Sequence, residues 1–248
     1  MKNMSTDKNI PKIIHYCWFG RKEKPAIVNK CIKSWHKNLE DYKIIEWNED
    51  TFDINSNNFV KEAYNKGMYA FVSDYVRVFA LYNYGGIYLD TDVEVFKRFD
   101  NLLTNDSFWG FEEKNFIATS TIGAKRKNTL IKEFLESYTN KKFVKENGEI
   151  DTFTNVAIVS NILKDKGLKL NGEYQKIRDI GTFYPQEYFS PYDYINCYSK
   201  QGDNTYAIHY FYKSWLPFST RIKSGIKRAL VKFIGGKNLA RIREKIYN

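Results

Sequence analysis

The reading of this chain turns on Gly85-Gly86-Ile87-Tyr88-Leu89-Asp90-Thr91-Asp92. Two glycines stop a helix, Ile87, Tyr88 and Leu89 make a short buried strand, and two aspartates stand at its carboxyl end. Asp90 and Asp92 are two residues apart, a spacing that puts both side chains on one face of an extended chain. Hard carboxylate oxygens at an open strand end suit Mg²⁺ or Mn²⁺, which keep positions free for water and phosphate oxygens. The plainer reading is a polar turn closing a strand, because Asp and Thr are common there. The apolar strand before the pair, and the alternation resuming at Val93 and Val95, favour the metal site.

Immediately upstream, residues 68–84 form the most apolar helix pattern in the chain, with Phe71, Val72, Val76, Phe79 and Leu81 among its members. Apolar residues on every side imply burial on most faces. Asp74 and Arg77 sit inside it, three apart and on one face. They are either a solvated ion pair of little energetic weight or the lining of a cleft. In the cleft Arg77 reaches a phosphate or a sugar, and Asp74 the sugar hydroxyls or Arg77 itself. The helix feeds directly into the Asp90 strand, which favours the cleft.

Further upstream, residues 12–19 (KIIHYCWF) are β-branched and aromatic between Pro11 and Gly20 and predict a first buried strand. Trp18 at its end is placed either to pack in the core or to stack on a nucleotide base. Pro25 opens a helix with Ile27, Val28, Cys31, Ile32 and Trp35 at helical spacing, and residues 42–47 read as a second strand. Strand, helix, strand in this order predicts an α/β sheet of Rossmann type.

Downstream, residues 108–111 and 116–123 read as strands, 128–138 and 151–163 as helices, and 141–149 as a polar loop. Residues 184–194 are aromatic and broken by Pro185, more loop than element. A late strand over 205–210 carries His209 near its end. A single His is more often structural than a ligand, yet His209 completes an Asp, Asp, His site if the sheet brings it beside Asp92. Lys213, Ser214 and Trp215 then lie over a diphosphate.

At 248 residues the chain suits one domain with a real core. Aromatic residues make up 17%, enough for some to line clefts. Cys17, Cys31 and Cys197 are scattered, fit neither a zinc spacing nor a disulfide framework, and suit a reducing compartment. No apolar run reaches membrane-span length and the polar start is unlike a signal peptide, so the expected location is the cytoplasm. The net charge of +10 is concentrated: residues 219–248 hold nine basic side chains and one acid, leaving only +2 for the other 218 residues. That distribution argues against nucleic acid as the partner of the body. It divides the chain into a domain over 1–218 and a basic amphipathic helical tail over 219–248. The tail either packs on the domain or docks on an anionic membrane, on the inner face.

Three motifs in order, IPKIIHYCWFG (10–20), SDYVRVFALYNYGGIYLDTDVE (73–94) and AIHYFYKSW (207–215), resemble the DXD-containing bacterial glycosyltransferases of family 32. These include capsular polysaccharide and mannosyltransferase-like proteins, with clostridial toxin glucosyltransferase domains as distant relatives. The resemblance covers most of 10–218 and excludes the tail. It implies a GT-A fold, a UDP- or GDP-sugar donor, a glycan acceptor on a lipid carrier, and transfer with retention. By resemblance Trp18 stacks on the donor base, and backbone groups of Cys17 and Phe19 read its edge. Asp74 and Arg77 match the sugar- and phosphate-contacting pair and Tyr88 a donor contact. Asp90 and Asp92 match the metal motif, His209 resembles a further metal ligand, and Ser214 and Trp215 close over the leaving diphosphate. Asp74, Arg77, Asp92 and Trp215 are thereby the expected catalytic set. Arg21 departs from the usual second Gly, and Phe153-Thr154-Asn155 from a Thr-Gly-Pro-like turn.

Two rivals use the same residues differently. A metal-dependent nucleotidyltransferase or phosphoesterase releases pyrophosphate or phosphate instead of a nucleoside diphosphate. A non-catalytic membrane- or nucleic-acid-binding module depends on the tail alone.

Overall fold

The computed structural model describes residues 8–113, 115–151, 153–193 and 198–212. Its first half runs β1 (Ile13–Cys17), α1 (Ala26–Asn38), β2 (Lys43–Trp47), α2 (Asn58–Asn65), α3 (Tyr69–Tyr84), β3 (Gly86–Leu89) and β4 (Val93–Val95). The second half runs β5 (Ser107–Glu113), β6 (Phe116–Ala124), α4 (Thr129–Glu136), α5 (Asn155–Asp165), β7 (Gln175–Ile177) and β8 (Gly181–Tyr184). It closes with β9 (Tyr192–Asp193), β10 (Tyr198–Ser199) and β11 (Ala207–His209).

The seam between α3 and β3 falls on the two glycines, for steric reasons. Gly85 has φ +66° and donates its N–H to Leu81 O at 2.9 Å, capping the helix. Gly86 follows at φ +102°, and a Cβ there would lie 2.6 Å from Ile13 O; one on Gly85 would lie 2.6 Å from Arg126 N. Neither position accepts a side chain, so the backbone of β3 approaches β1 and β6 closely.

Seven strands form the main sheet in the order β2-β1-β3-β6-β5-β8-β7. The first three are parallel, as the alternation of strand and helix predicts. Beyond β3 the sheet is mixed: β6 is antiparallel to both β3 and β5, and β8 runs parallel to β5. Along β3 the side chains alternate between two cores. Tyr88 faces α2, α3, α4 and α5 with Val72, Val76, Trp109 and Phe183. Ile87 and Leu89 face α1 with Trp35, Phe99 and Phe189. All four residues of β3 are buried, so the strand's carboxyl end emerges from the centre of the molecule.

Several sequence expectations shift at their edges. The first strand ends at Cys17, and α5 begins only at Asn155, after Asp151 Oδ1 has taken Phe153 N–H in a turn at 2.9 Å. The stretch 184–194 contains a 3₁₀ turn over Gln186–Tyr188 and β9, which pairs with β10. Helix α2 and the β7–β8 hairpin were not anticipated. The tail over 219–248 and Cys197 lie outside the described residues. No described helix is long and apolar enough to cross a membrane.

His15 ties the parallel strands to the glycine seam. It is fully buried; Trp47 Nε1 donates to its Nδ1 at 3.1 Å, and its Nε2 lies 2.8 Å from Gly85 O. With Nδ1 accepting, Nε2 carries the hydrogen and donates it. Burial, opposed by the bond to Gly85, lowers its pKa from 6.5 to about 4. A depressed value means the native state resists protonation that the unfolded chain accepts below pH 6.5. The contribution is intact above 6.5 and lost as pH falls through 4, on the order of 3 kcal/mol in all. NMR titration is expected to find the His15 ring neutral down to about pH 4, with urea stability declining across the same window. Titration near 6.5 would mean that water reaches the ring.

Candidate functional site

The carboxyl end of β3 delivers Asp90 and Asp92 into a turn, not a continued strand: Val93 N–H donates to Asp90 O at 3.0 Å. Asp90 is held on its other side by its own N–H, which donates to Ser120 O on β6 at 2.8 Å. The two carboxylates meet because this turn folds them together. β11 then pairs antiparallel with β4, setting His209 opposite Val93. A ligand atom from each of Asp90, Asp92 and His209 lies within 4.8 Å of the others. The expected Asp, Asp, His grouping is thus present, assembled from segments 117 residues apart in sequence.

The donor set fits a divalent cation. The two carboxylates suit Mg²⁺ or Mn²⁺ and the imidazole a transition-metal ion, and His209 Nδ1 is buried with no hydrogen-bond partner among the described residues. Asp92 is buried; its Oδ1 lies 3.3 Å from His209 Nε2, and its Oδ2 accepts Tyr212 N–H at 2.7 Å. Burial works against both charges, but their mutual attraction wins, so Asp92 is held below the usual carboxylate range and His209 above the usual imidazole one.

Arg77 joins this cluster to α3. Its Nη2 lies 2.8 Å from Asp74 Oδ1 and 3.3 Å from Asp90 Oδ1, while Nη1 donates to Thr119 O at 2.6 Å. The guanidinium carbon sits 4.7 Å from the centre of the Tyr88 ring, and Tyr88 OH donates to Asp90 Oδ1 at 3.1 Å. At 5% exposure Arg77 is no solvated surface pair; it is a buried cation between two carboxylates. Burial opposes its charge, but Asp90, Tyr88 and Asp74 around it more than compensate and raise its pKa. Asp74 goes the other way: burial lifts its pKa to about 6 despite Arg77. Arg77 Nε is buried without a partner among the described residues, leaving a donor unspent.

The first loop is also ordered. Trp18 is half-buried, and its Nε1 donates to Lys22 O at 2.6 Å, which orients the indole. Phe19 buries its ring against Phe52 and Cys17 is buried, so a ligand meets only their main chain. Burial pushes the Cys17 thiol up to about 12, so it is no nucleophile. Lys213, Ser214 and Trp215 lie outside the described residues.

Three supports were not read from the sequence. Asn155, the first residue of α5, donates from Nδ2 to Asp74 O at 2.9 Å and accepts from Tyr138 OH. Glu49 Oε1 accepts from Gly20 N–H at 2.6 Å and Tyr64 OH at 2.9 Å, clamping the loop after β1. Thr119 and Ser120 contribute main-chain oxygens. Each of these contacts is made by residues distant in sequence, and only Asn at a helix start left any local signal.

Residues 25–109, which hold Asp74, Arg77, Tyr88, Asp90 and Asp92, match a family model described as glycosyltransferase sugar-binding region containing DXD motif. Inositol phosphoceramide mannosyltransferase 1 of Schizosaccharomyces pombe (strain 972 / ATCC 24843) is 30% identical over 112 residues, 41% of this chain. The match spans 34% of that protein, about a third of its length. Among solved structures, PaToxG Glycosyltransferase superposes with a TM-score of 0.50 at 20% identity, over 64% of this chain and 70% of that one. The α/β fold is therefore one that a glycosyltransferase uses.

Proposed function

We propose that this chain, one of the DXD-containing glycosyltransferases, moves a hexose from a UDP- or GDP-sugar to a glycan acceptor with retention of configuration. The observation that carries the reading is the joining of Asp90, Asp92 and His209, through Arg77, to Asp74 at one end of the sheet. Asp90, Asp92 and His209 hold the divalent cation, Mn²⁺ or Mg²⁺. When bound, the cation offsets the charge that builds on the departing diphosphate.

The protein's own groups do the rest. Arg77 supplies a fixed cation beside Asp74 and Asp90, and its Nε is buried without a partner among the described residues. A positioned donor of this kind strengthens as charge develops on a phosphate oxygen. Asp74 accepts sugar hydroxyls, and Trp18 stacks on the base. Lys213, Ser214 and Trp215 close over the diphosphate. Asp90 is assigned to the cation and Asp74 to Arg77 and the sugar hydroxyls, so neither is set aside as a nucleophile for the anomeric carbon. That supports front-face transfer: the bond from C1 to the diphosphate breaks and the acceptor oxygen bonds to C1 on the same face. The hydroxyl proton passes to the departing diphosphate.

The name of the yeast relative makes GDP-mannose the first donor to try, and UDP-glucose and UDP-galactose the next. We assign the acceptor to a surface or capsular polysaccharide on a lipid carrier, reached from the cytoplasmic membrane face where the basic tail docks. Thermal-shift screening of these donors with and without Mn²⁺, followed by product analysis, tests the reading. One donor is expected to raise Tm only with the cation and to yield nucleoside diphosphate in step with glycosylated acceptor. Pyrophosphate or inorganic phosphate as the product would identify a nucleotidyltransferase or phosphoesterase instead.

A further inference from the structure

An open groove of about 500 Å³ is lined by Ser137, Lys141, Asp151, Phe153, Ile158 and Asn161. We propose that this groove is the acceptor subsite, taking one pyranose ring of the acceptor glycan against Phe153; the assignment rests on the transferase reading.

Four observations carry it. The groove is coupled to the donor side by a short chain of bonds: Tyr138 OH donates to Asn155 Oδ1, and Asn155 Nδ2 to Asp74 O. Ile158 and Asn161 follow Asn155 on α5 at successive three-residue steps, so the groove starts one turn from that contact. Asp74, lifted by burial and drawn down by Arg77, also feels the positive charge of Lys141. The two regions are therefore neighbours joined through Asn155.

Second, the chemistry of the lining is that of a polyol site. Phe153 is 50% exposed although it borders a concavity, and the C–H face of a pyranose packs on the negative face of such a ring. Around it stand both donors and acceptors: the Asn161 amide, the Ser137 hydroxyl, Lys141 and Asp151.

Third, the charges are balanced. Lys141 Nζ lies 3.4 Å from Asp151 Oδ2 and 3.3 Å from Phe153 O, and sits over the Tyr138 and Phe59 rings at 5.4 and 5.3 Å. A lysine already neutralised by a carboxylate is a poor phosphate site but a good donor to hydroxyls. Fourth, the loop is preformed: Asp151 N–H donates to Phe143 O at 2.8 Å, and Asp151 Oδ1 accepts from Phe153 N–H. Pre-ordering lowers the cost of binding a small ligand.

Methyl glycosides of glucose, galactose and mannose serve as probes, read by saturation-transfer NMR without donor. At least one is expected to bind the wild-type chain. Phe153→Ala and Asn161→Ala are expected to weaken it about three- to tenfold, and Phe153→Trp to restore it. With donor added, the same glycoside speeds nucleoside diphosphate release, and Phe153→Ala raises the glycoside KM by the same factor. Equal binding by wild type and Phe153→Ala, or no binding by the wild type, overturns the proposal. Nucleoside diphosphate release in the presence of acceptor is read separately, so its failure counts against the transferase reading and leaves the glycoside result standing.

Discussion

Asp92→Asn is expected to lower transfer by roughly 10³-fold or more while the fold survives, the loss corresponding to the several kcal/mol a bound cation contributes to a developing charge. The substitution is nearly isosteric. Its side-chain oxygen still accepts Tyr212 N–H, where Asp92 Oδ2 now does so at 2.7 Å. What disappears is the charge that faces His209 at 3.3 Å and completes the group with Asp90. Binding of Mn²⁺, measured calorimetrically without nucleotide, is expected to weaken in parallel, which separates loss of the ion from loss of donor binding. Retained turnover in the variant under chelator would remove these aspartates from the chemistry.

How much of this could be read in advance depended on how local each cause was. Gly85 and Gly86 announce a stop because no side chain fits there, and Ile87-Tyr88-Leu89 announces a strand because each residue serves one of two cores. The Asp90 and Asp92 spacing was visible, although the geometry that joins them is a turn and not a strand face. His209 was visible only conditionally: its place depends on β11 choosing β4 as a partner, which no window of sequence encodes. Arg77 was the hardest to read. On a helix apolar all round, the one charged stripe also reads as solvent-facing, although its run into the Asp90 strand favours a cleft, and only β6 arriving with Thr119 O fixes Arg77 inside. Glu49 and Asn155 act over long separations and left almost nothing to find. Helix α2 is short, with Phe59, Val60 and Ala63 turned inward, and it was not anticipated.

Removing Arg77 is expected to be the most damaging single change to stability. Arg77→Met leaves Asp74 and Asp90 without their shared cation and Thr119 O without its donor, a loss of about 3–5 kcal/mol for a broken buried pair. Turnover should fall by roughly 10²- to 10³-fold in whatever fraction remains folded, since a donor aimed at developing charge is gone. Arg77→Lys keeps the charge but is a point donor, unable to span Asp74, Asp90 and Thr119 together or to lie flat against Tyr88, so it recovers stability more than rate. Two controls make the cause readable. Asp74→Asn combined with Arg77→Met should be less destabilised than Arg77→Met alone, because the partly buried carboxylate that lost its partner is also gone. The pH dependence should agree. Burial already lifts Asp74 to about 6 with Arg77 in place, so its protonated form favours the native state, and that contribution is lost as pH rises through the folded value. Without Arg77 the carboxyl titrates higher still, and the deficit measured by urea unfolding should be smaller at pH 5 than at pH 8. A deficit independent of pH, and unrelieved by Asp74→Asn, would mean that Arg77 acts by packing and not by charge.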